Sequence, residues 1–266
     1  MRFTPHSLTL LASAITVATP AIATPAAENK VERIQVTGSF ITRSQQEDAT
    51  PLLQIDADAI AASGKVTLTE VLRDLSVNSG NSFDEQYTGS FSAGSASIGL
   101  RGLSPKNTLV LVNGQRLSNY GFALNTQDTF VDLNALPLSA VKRIEVLKDG
   151  ASSVYGSDAI AGVINFRLKD NNEGGAIEFK TGQHYDGDGD LRQVSANIGL
   201  PFTDNGFANF STEFKQSDPT SRSVQRGDAA GLVAAGNTNI ANPAQVWGSP
   251  EVKRDFKLFG NIGLEV

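Results

Sequence analysis

The stretch SAVKRIEVLKDGASSVYGSDAIAGVINFRLK, residues 139–169, carries the strongest fold signal in the chain. It contains two apolar strand patterns, IEVL and GVINFRL, whose β-branched residues suit a pleated, half-buried surface. Between them, residues 151–155 predict one or two helical turns bounded by Gly150 and Gly156. The stretch therefore predicts a compact strand, helix, strand unit of the α+β class, with no space for a large side chain at its bends.

Residues 108–117, TLVLVNGQRL, predict a β-hairpin upstream of that unit. An Asn-Gly pair is favoured in a two-residue type I′ turn because both central residues adopt positive φ. Asn113 and Gly114 therefore predict the turn. Further upstream, Thr67 and Glu70 have the spacing of a capping box, and the apolar positions that follow predict a short helix packed on a core.

The composition limits the classes of function. The chain has 266 residues, 40% of them hydrophobic, which predicts one or two domains. It has no cysteine, so thiolate metal sites and disulfide scaffolds are excluded. The net charge of −6 argues against a nucleic-acid binder. With no Walker motif, dinucleotide fingerprint or histidine cluster in the sequence, we expect neither a cofactor nor a metal site.

Residues 1–23 predict a secretory signal peptide. Arg2 gives a positive start, and the apolar core at residues 8–18 is too short to span a bilayer as a helix. Residues 21–23, Ala-Ile-Ala, fit a cleavage site. Residues 31–37, VERIQVT, then predict a strand outside the compact domain. Such a strand suits pairing with a partner protein by β-augmentation.

From residue 174 the pattern changes to longer alternations without helices. Residues 176–185, 193–202, 207–215 and 256–266 each place apolar side chains on one face and polar side chains on the other. Runs of about ten residues are typical of transmembrane β-strands with lipid-facing apolar and lumen-facing polar positions. Soluble antiparallel sheets share this alternation. The alternation of short and long connections favours the outer-membrane interpretation.

Two segments resemble a known family. KRIEVLKDGASSVYGSDAIAGVINF, residues 142–166, and IGLRGLSPKNTLVLVNGQRL, residues 98–117, resemble the plug domain of TonB-dependent outer-membrane receptors. The resemblance extends over residues 31 to about 170. It implies that IQVTG belongs to a TonB box, which pairs with the periplasmic TonB energy-coupling protein and, through it, with inner-membrane motor proteins. The predicted partner-binding residues are Val31, Ile34, Gln35, Val36 and Thr37.

Two loops rich in Gly, Ser and Asn, residues 79–97 and 118–129, predict a binding face on this domain. Their aromatic side chains offer stacking area and their small polar residues offer adaptable hydrogen bonds. A plain surface loop is the alternative for the first of them. The resemblance implies active uptake of a small ligand such as an iron chelate (a ferric siderophore), cobalamin or an oligosaccharide. The predicted ligand-binding residues are Phe83, Tyr87, Phe91, Tyr120 and Phe122.

Three basic residues are predicted to contact the wall of a surrounding barrel. Arg101 interrupts an apolar strand pattern, where a charge needs an anionic partner. The resemblance suggests that Arg101, and with it Arg143 or Lys148, meets acidic residues on that wall. The sequence does not identify those acidic residues.

The predicted fold class is an α+β plug domain, a small mixed sheet with short helices, followed by the start of an antiparallel transmembrane β-barrel. We expect a signal peptide at residues 1–23, an arm with the TonB box at 24–46, the plug at 47–170 and about four strands of an incomplete barrel at 171–266. The expected location is the outer membrane of a Gram-negative bacterium, or the periplasm for a truncated product. Because four strands cannot close a barrel, the sequence predicts a truncated receptor.

The sequence leaves two alternative functions. A stand-alone periplasmic module would bind a ligand or a signalling partner without transport, and the DNA downstream of codon 266 would distinguish it. A serine hydrolase of the penicillin-recognising type is suggested by S-x-x-K at Ser139 and Lys142 and by K-T-G at residues 180–182. These motifs span only about 44 residues, too few for the helical domain such enzymes place between them. We therefore predict that the chain is not an enzyme.

Overall fold

The computed structural model describes residues 52–85, 92, 94–124, 126–203, 206–242 and 248–264. These residues form a five-stranded sheet with short helices and a separate four-stranded antiparallel sheet, as the predicted fold class requires. We call residues 52–170 the five-stranded domain. The strands are β1 Leu52–Asp56, β2 Thr108–Val112, β3 Gln115–Arg116, β4 Val141–Leu147, β5 Gly162–Leu168, β6 Gly175–Gly182, β7 Leu191–Thr203, β8 Gly206–Ser217 and β9 Val252–Leu264.

The helices in the described part of the chain are short. None of them has the length and the apolar character needed to cross a bilayer. The α-helices are α1 Ala57–Ala62, α2 Leu68–Arg73, α3 Ser152–Tyr155 and α4 Ala229–Ala234, and the 3₁₀ helices are Pro105–Asn107, Leu133–Ala135, Leu138–Ala140 and Ser157–Ala159.

The five-stranded sheet is mixed and has the order β1-β4-β5-β2-β3. The central pair β2 and β5 is parallel, and the other pairs are antiparallel. β4 and β5 contain the IEVL and GVINFRL patterns, and α3 lies between them, so the predicted strand, helix, strand unit is confirmed.

Both faces of this sheet are covered. Along β2, Leu109 and Leu111 point into one apolar cluster and Val110 and Val112 into the other. Successive strand residues alternate between faces, so a strand buried on both sides must be apolar throughout. This requirement explains the uninterrupted LVLV sequence.

The predicted local signals are present. Thr67 accepts a hydrogen bond from the Glu70 amide, and the Glu70 carboxylate accepts from the Thr67 amide, which completes the capping box of α2. Asn113 and Gly114 have φ of 49° and 79° and form the turn between β2 and β3. Gly64 follows α1 at a φ of 68°, the left-handed conformation expected after a helix end.

A buried polar cluster links β4, β5 and the hairpin turn. The Asn165 amide nitrogen donates to a Glu145 carboxylate oxygen at 3.0 Å, and Arg143 Nε donates to the other oxygen at 2.8 Å. The Gly114 amide donates to the Asn165 side-chain oxygen at 2.9 Å. Glu145 is only 1% exposed, so its charge is tolerated because these donors compensate it.

The four-stranded sheet has the order β6-β7-β8-β9 and is antiparallel throughout. The expected strand at residues 176–185 was too long. β6 ends at Gly182, and Tyr185 lies in the following turn, fully exposed. Gly187 and Gly189 adopt positive φ there, and the His184 amide donates to the Asp188 carbonyl. These contacts close the turn before residue 185 can pair.

Gly162 offers a test of the bend between α3 and β5. Its φ is 141°, and a Cβ there would lie 2.5 Å from the Leu147 carbonyl oxygen and 2.9 Å from Leu100 Cδ1. We expect Gly162→Ala to lower the free energy of unfolding by about 2–4 kcal/mol, because it adds a backbone clash to the conformational strain. Urea unfolding of the detergent-solubilised chain, followed by circular dichroism, measures this loss.

Gly64→Ala is the matched control. Gly64 also has positive φ, but nothing lies within 4 Å of the added Cβ. It should cost only the conformational strain, about 1 kcal/mol. Equal losses in the two variants would show that the contact with Leu147 does not limit position 162.

Candidate ligand-binding face and interface between the two sheets

The four-stranded sheet buries its polar face and exposes its apolar face. Asn209, Ser211 and Glu213 on β8 are at most 3% exposed, whereas Phe179 and Leu258 are at least 70% exposed. A water-soluble antiparallel sheet has the opposite arrangement. The polar side chains must therefore find partners on the five-stranded domain.

Glu213 is central to this interface. One of its carboxylate oxygens accepts a hydrogen bond from Lys257 Nζ at 2.7 Å, and the other accepts from the Leu138 amide at 3.2 Å. Lys257 also pairs with Asp255 at 3.2 Å. The 3₁₀ helix Leu138–Ala140 thus rests on β8 through a charge-assisted hydrogen bond, the stronger kind.

Further contacts lie toward the ends of the strands that lead into the longer connections. Lys215 Nζ pairs with Glu85 on the five-stranded domain. Lys180 Nζ donates to the Lys65 carbonyl at 2.9 Å, and the Gln193 side chain donates to the Val66 carbonyl at 3.2 Å. The last two bonds fix the segment before α2 against β6 and β7, and the ion pair fixes Glu85 against β8.

An amide network closes the opposite end. The Asn209 side chain donates to the Asn171 side chain at 2.8 Å and accepts from Asn197 at 2.6 Å. Asn261 donates to the Lys169 carbonyl at 2.9 Å. The interface therefore has uncharged polar contacts at this end and charged contacts at the other, while Phe259 of β9 packs against the apolar core of the five-stranded domain.

The structure joins the first predicted binding loop to residues 132–134, the segment that follows the second predicted loop. The Leu133 amide donates to the Ala96 carbonyl at 2.9 Å, and the Ala96 amide donates to an Asp132 carboxylate oxygen at 2.9 Å. Asn134 adds a side-chain bond to the Gly94 carbonyl. Burial raises the pKa of Asp132, and the amides of Ala96 and Asn134 oppose that rise without cancelling it.

The described aromatic residues of these loops differ in exposure. Phe83 is half-buried, and its backbone pairs with that of Ser97. Tyr120 is half-buried and stacks on Phe130, with ring centroids 5.3 Å apart. Phe122 is 63% exposed. Tyr87 and Phe91 lie outside the described residues, so the predicted ligand-binding set stays a prediction.

The three predicted wall contacts have different surroundings. The expected strand position of Arg101 is wrong, because Arg101 is exposed in a turn with a φ of 54° and its guanidinium donates to the Ile160 carbonyl. Arg143 pairs with Glu145 inside the five-stranded domain. Lys148 is half-buried and has no ion-pair partner within the described ranges. Their predicted contact with a barrel wall stays a prediction.

A cleft of about 170 Å³ lies between the five-stranded domain and the long connections of the four-stranded sheet. The segment at residues 66–70 and Glu85 form one side of it, and His184, Lys215 and Asp218 form the other. Thr220 and Ser249 exchange two hydrogen bonds, of 3.1 and 2.8 Å, and so close the base of the long loop beside this cleft.

An ion pair joins the two connections outside the strands. Arg222 in the long loop donates to both carboxylate oxygens of Asp188, at 2.6 and 2.9 Å, and pairs with Asp186 at 3.0 Å. Hydrogen bonding from Arg222 lowers the pKa of Asp188 to about 2. The ion pair between Arg222 and Asp188, which we call the clamp together with Asp186, therefore stays charged over the whole physiological pH range.

The two residues of the S-x-x-K hydrolase motif each bond to a different partner and not to each other. The Ser139 hydroxyl donates to the Thr212 carbonyl at 3.4 Å, and Lys142 pairs with Asp170 at 2.8 Å. Ser139 therefore bonds across to β8, whereas the ion pair of Lys142 lies within the five-stranded domain. The predicted TonB-box residues, from Val31 to Thr37, lie outside the described residues.

Residues 44–163 match the family profile described as the TonB-dependent Receptor Plug Domain. The five-stranded domain is a TonB-dependent receptor plug. The four antiparallel strands after this plug also match the arrangement in structures of such receptors. With the siderophore receptor PirA from Acinetobacter baumannii, the superposition has a TM-score of 0.53 at 25% identity and covers 67% of this chain and 26% of that one.

Two curated proteins are similar in sequence. A probable TonB-dependent siderophore receptor, PirA of Acinetobacter baumannii, is 38% identical over 112 residues. The ferric enterobactin receptor PirA of Pseudomonas aeruginosa is 34% identical over 147 residues. The matches cover 39% and 52% of this chain but only 15% and 19% of those proteins, so the chain spans a small part of their length.

Sequence reasoning placed Glu213 and Lys257 on polar strand faces but missed their role in holding the plug. Glu213 lies directly opposite Lys257, and Lys215 opposite Asp255, in the pairing of β8 with β9. Opposite charges at facing positions stabilise an antiparallel pair. The E-x-K and D-x-K patterns of the two strands are the signal that could have revealed these pairs.

Replacing Glu213 tests the interface. We expect Glu213→Ala to lower the free energy of unfolding by about 2–4 kcal/mol, since it removes the acceptor of a buried ammonium and of a backbone amide. Hydrogen exchange of the Leu138 amide should also accelerate. Glu178→Ala on β6 is the control, because that carboxylate is half exposed and should cost at most about 0.5 kcal/mol. Unchanged exchange at Leu138 would contradict the role of Glu213.

The raised pKa of Asp132 predicts a pH effect. The carboxyl group of Asp132 binds its proton more tightly in the folded chain than in the unfolded chain, where its pKa is near 3.8. The contribution of Asp132 to the free energy of unfolding therefore falls as pH rises through the pKa of the folded state. Asp132→Asn keeps an acceptor for the two amides and removes the charge. Urea unfolding across this range should show the variant gaining stability over the parent as pH rises. If the stability of the variant relative to the parent instead decreased as pH rises, the pKa of Asp132 would not be raised in the folded chain.

Proposed function

We propose that this chain is part of a TonB-dependent outer-membrane receptor that takes up an iron chelate. The main support is the four-stranded sheet, which buries its polar face and exposes its apolar face. Its polar face is closed by the plug, and its apolar face is open over strands of 8 to 13 residues. Strands of this length with an apolar outer band suit the hydrocarbon layer of a membrane.

The exposed apolar face does not favour a stand-alone periplasmic module. Large side chains such as Phe179, Phe256 and Leu258 are each more than 60% exposed on one continuous face. A contiguous patch of this kind on a soluble protein would promote aggregation. In a bilayer, the same face lowers the free energy by contact with lipid.

The names of the relatives support the proposed ligand class. Both curated relatives are named as siderophore or ferric enterobactin receptors, which favours an iron chelate over cobalamin or an oligosaccharide. The first loop and the segment bonded to it at Leu133 would form part of the ligand-binding face, and the exposed ring of Phe122 would provide stacking area. The plug carries out no covalent chemistry in this scheme.

The TonB energy-coupling protein is the proposed partner at Ile34 to Val36. Ligand binding would release this segment, and the pull of the partner would then remodel the plug. The bonds from Glu213 to Leu138 and from Lys215 to Glu85 are among those that remodelling must break.

Measuring both uptake and chelate affinity in one variant distinguishes a role in transport from a role in ligand binding. In the full reading frame that contains this chain, Ile34→Pro should reduce uptake of the radiolabelled iron chelate to that of a receptor-deficient strain, because proline removes a donor from the added strand. Chelate affinity at the cell surface should not change. Ile34→Val, which keeps the amide and the β-branched shape, should transport normally. Loss of binding in the proline variant would argue against a purely coupling role.

A further inference from the structure

We infer that the cleft between the plug and the long connections binds a cationic group of the ligand, so that the chelate carries a protonated amine at its periphery. This inference rests on the proposed function, since it names the chemistry of the imported ligand. It combines the charge of the cleft with a buried hydroxyl that has no partner.

The carboxylates of the cleft outnumber its cations. Four carboxylates and one ammonium group line it. Asp84 pairs with Arg73, and Glu85 pairs with Lys215. Within the described ranges, the remaining two carboxylates have no ion-pair partner. The four carboxylates belong to Glu70, Asp84, Glu85 and Asp218, and the ammonium belongs to Lys215.

Two segments close to the lining residues in sequence carry no charged side chains. Residues 86–91, QYTGSF, and residues 243–247, PAQVW, contain no Asp, Glu, Lys or Arg. The Glu70 carboxylate accepts hydrogen bonds from the amides of Val66 and Thr67, so it is held in place as a fixed negative group. Fixed charges in a partly enclosed cleft attract a cation more strongly than the same charges in open solvent.

Thr69 is the independent observation. This residue is 1% exposed and lines the same cleft, and its hydroxyl oxygen has no hydrogen-bond partner among the described residues. Buried hydroxyls are nearly always bonded, so an unpaired one requires an explanation. An ammonium N–H donating to Thr69 Oγ1 would satisfy it, while Asp218 would balance the charge.

This chemistry disfavours a polyanionic chelate. A ferric tris-catecholate carries several negative charges and would face like charges here, and like charges placed together oppose binding. A hydroxamate chelate with a free terminal amine would bring the opposite charge.

The test uses two ferric chelates that differ by one charge. The ferric complex of desferrioxamine B has a terminal ammonium, and the N-acetylated chelate lacks it. Titration of the full-length receptor should show the ammonium form binding about fivefold more tightly, as expected for one partly exposed charge pair. Added salt should reduce this preference by screening.

Asp218→Asn should abolish the preference. Asp228→Asn is the matched control, because Asp228 lies in the same long loop, pairs with Arg226 and is not among the residues lining the cleft. Thr69→Val keeps the side-chain volume and removes the hydroxyl. It should weaken binding of the ammonium chelate and leave the unfolding free energy equal or higher, since no internal hydrogen bond is lost.

Equal affinity for the two chelates, or a preference that survives Asp218→Asn, would overturn the inference. If neither chelate binds while a ferric catecholate is imported, the proposed function stands and the cationic ligand is rejected. If iron chelates of every charge fail to be imported, both proposals are rejected.

Discussion

The burial of a polar strand face against the plug is the constraint on which the rest of this structure depends. Asn209, Ser211 and Glu213 are buried on one side of β8. Buried polar groups destabilise the fold unless they form hydrogen bonds. The plug supplies part of the bonding through backbone groups: the Leu138 amide donates to Glu213, and the Val66 carbonyl accepts from Gln193 on β7. The two sheets therefore depend on each other, since neither polar surface is satisfied alone.

The same constraint relates stability to function. Separating an apolar interface between the two sheets would cost free energy because it exposes apolar surface to water. Hydrogen bonds across a polar interface can instead be exchanged for hydrogen bonds to water. The interface has charged contacts at the Lys215 and Glu85 end and amide contacts at the Asn197 and Asn209 end. In the proposed function the plug is remodelled while its surroundings stay in place, and contacts of this kind would favour that change.

The proposed binding face depends on tertiary contacts of another kind. The first predicted loop is joined to a segment 36 residues further along the chain by the Ala96 and Leu133 backbone bond and by Asp132. The Asp186, Asp188 and Arg222 clamp similarly joins the β6–β7 turn to the long loop. The cleft is acidic because three separate segments contribute carboxylates to it, at Glu70, at Asp84 and Glu85, and at Asp218.

Local signals in the sequence determined much of the fold. The IEVL and GVINFRL patterns, the Thr67 capping box, the Asn113-Gly114 turn and the alternation from residue 174 all depend on short-range geometry, so they could be read without coordinates. Only the tertiary structure decided which partners the polar groups found. Arg101 lies in a turn, and Glu213 bonds Leu138 some 75 residues away, because side-chain pairing depends on how the sheets pack rather than on spacing along the chain. The unpaired Thr69 hydroxyl in an acidic cleft likewise appears only when the plug and the strands are assembled.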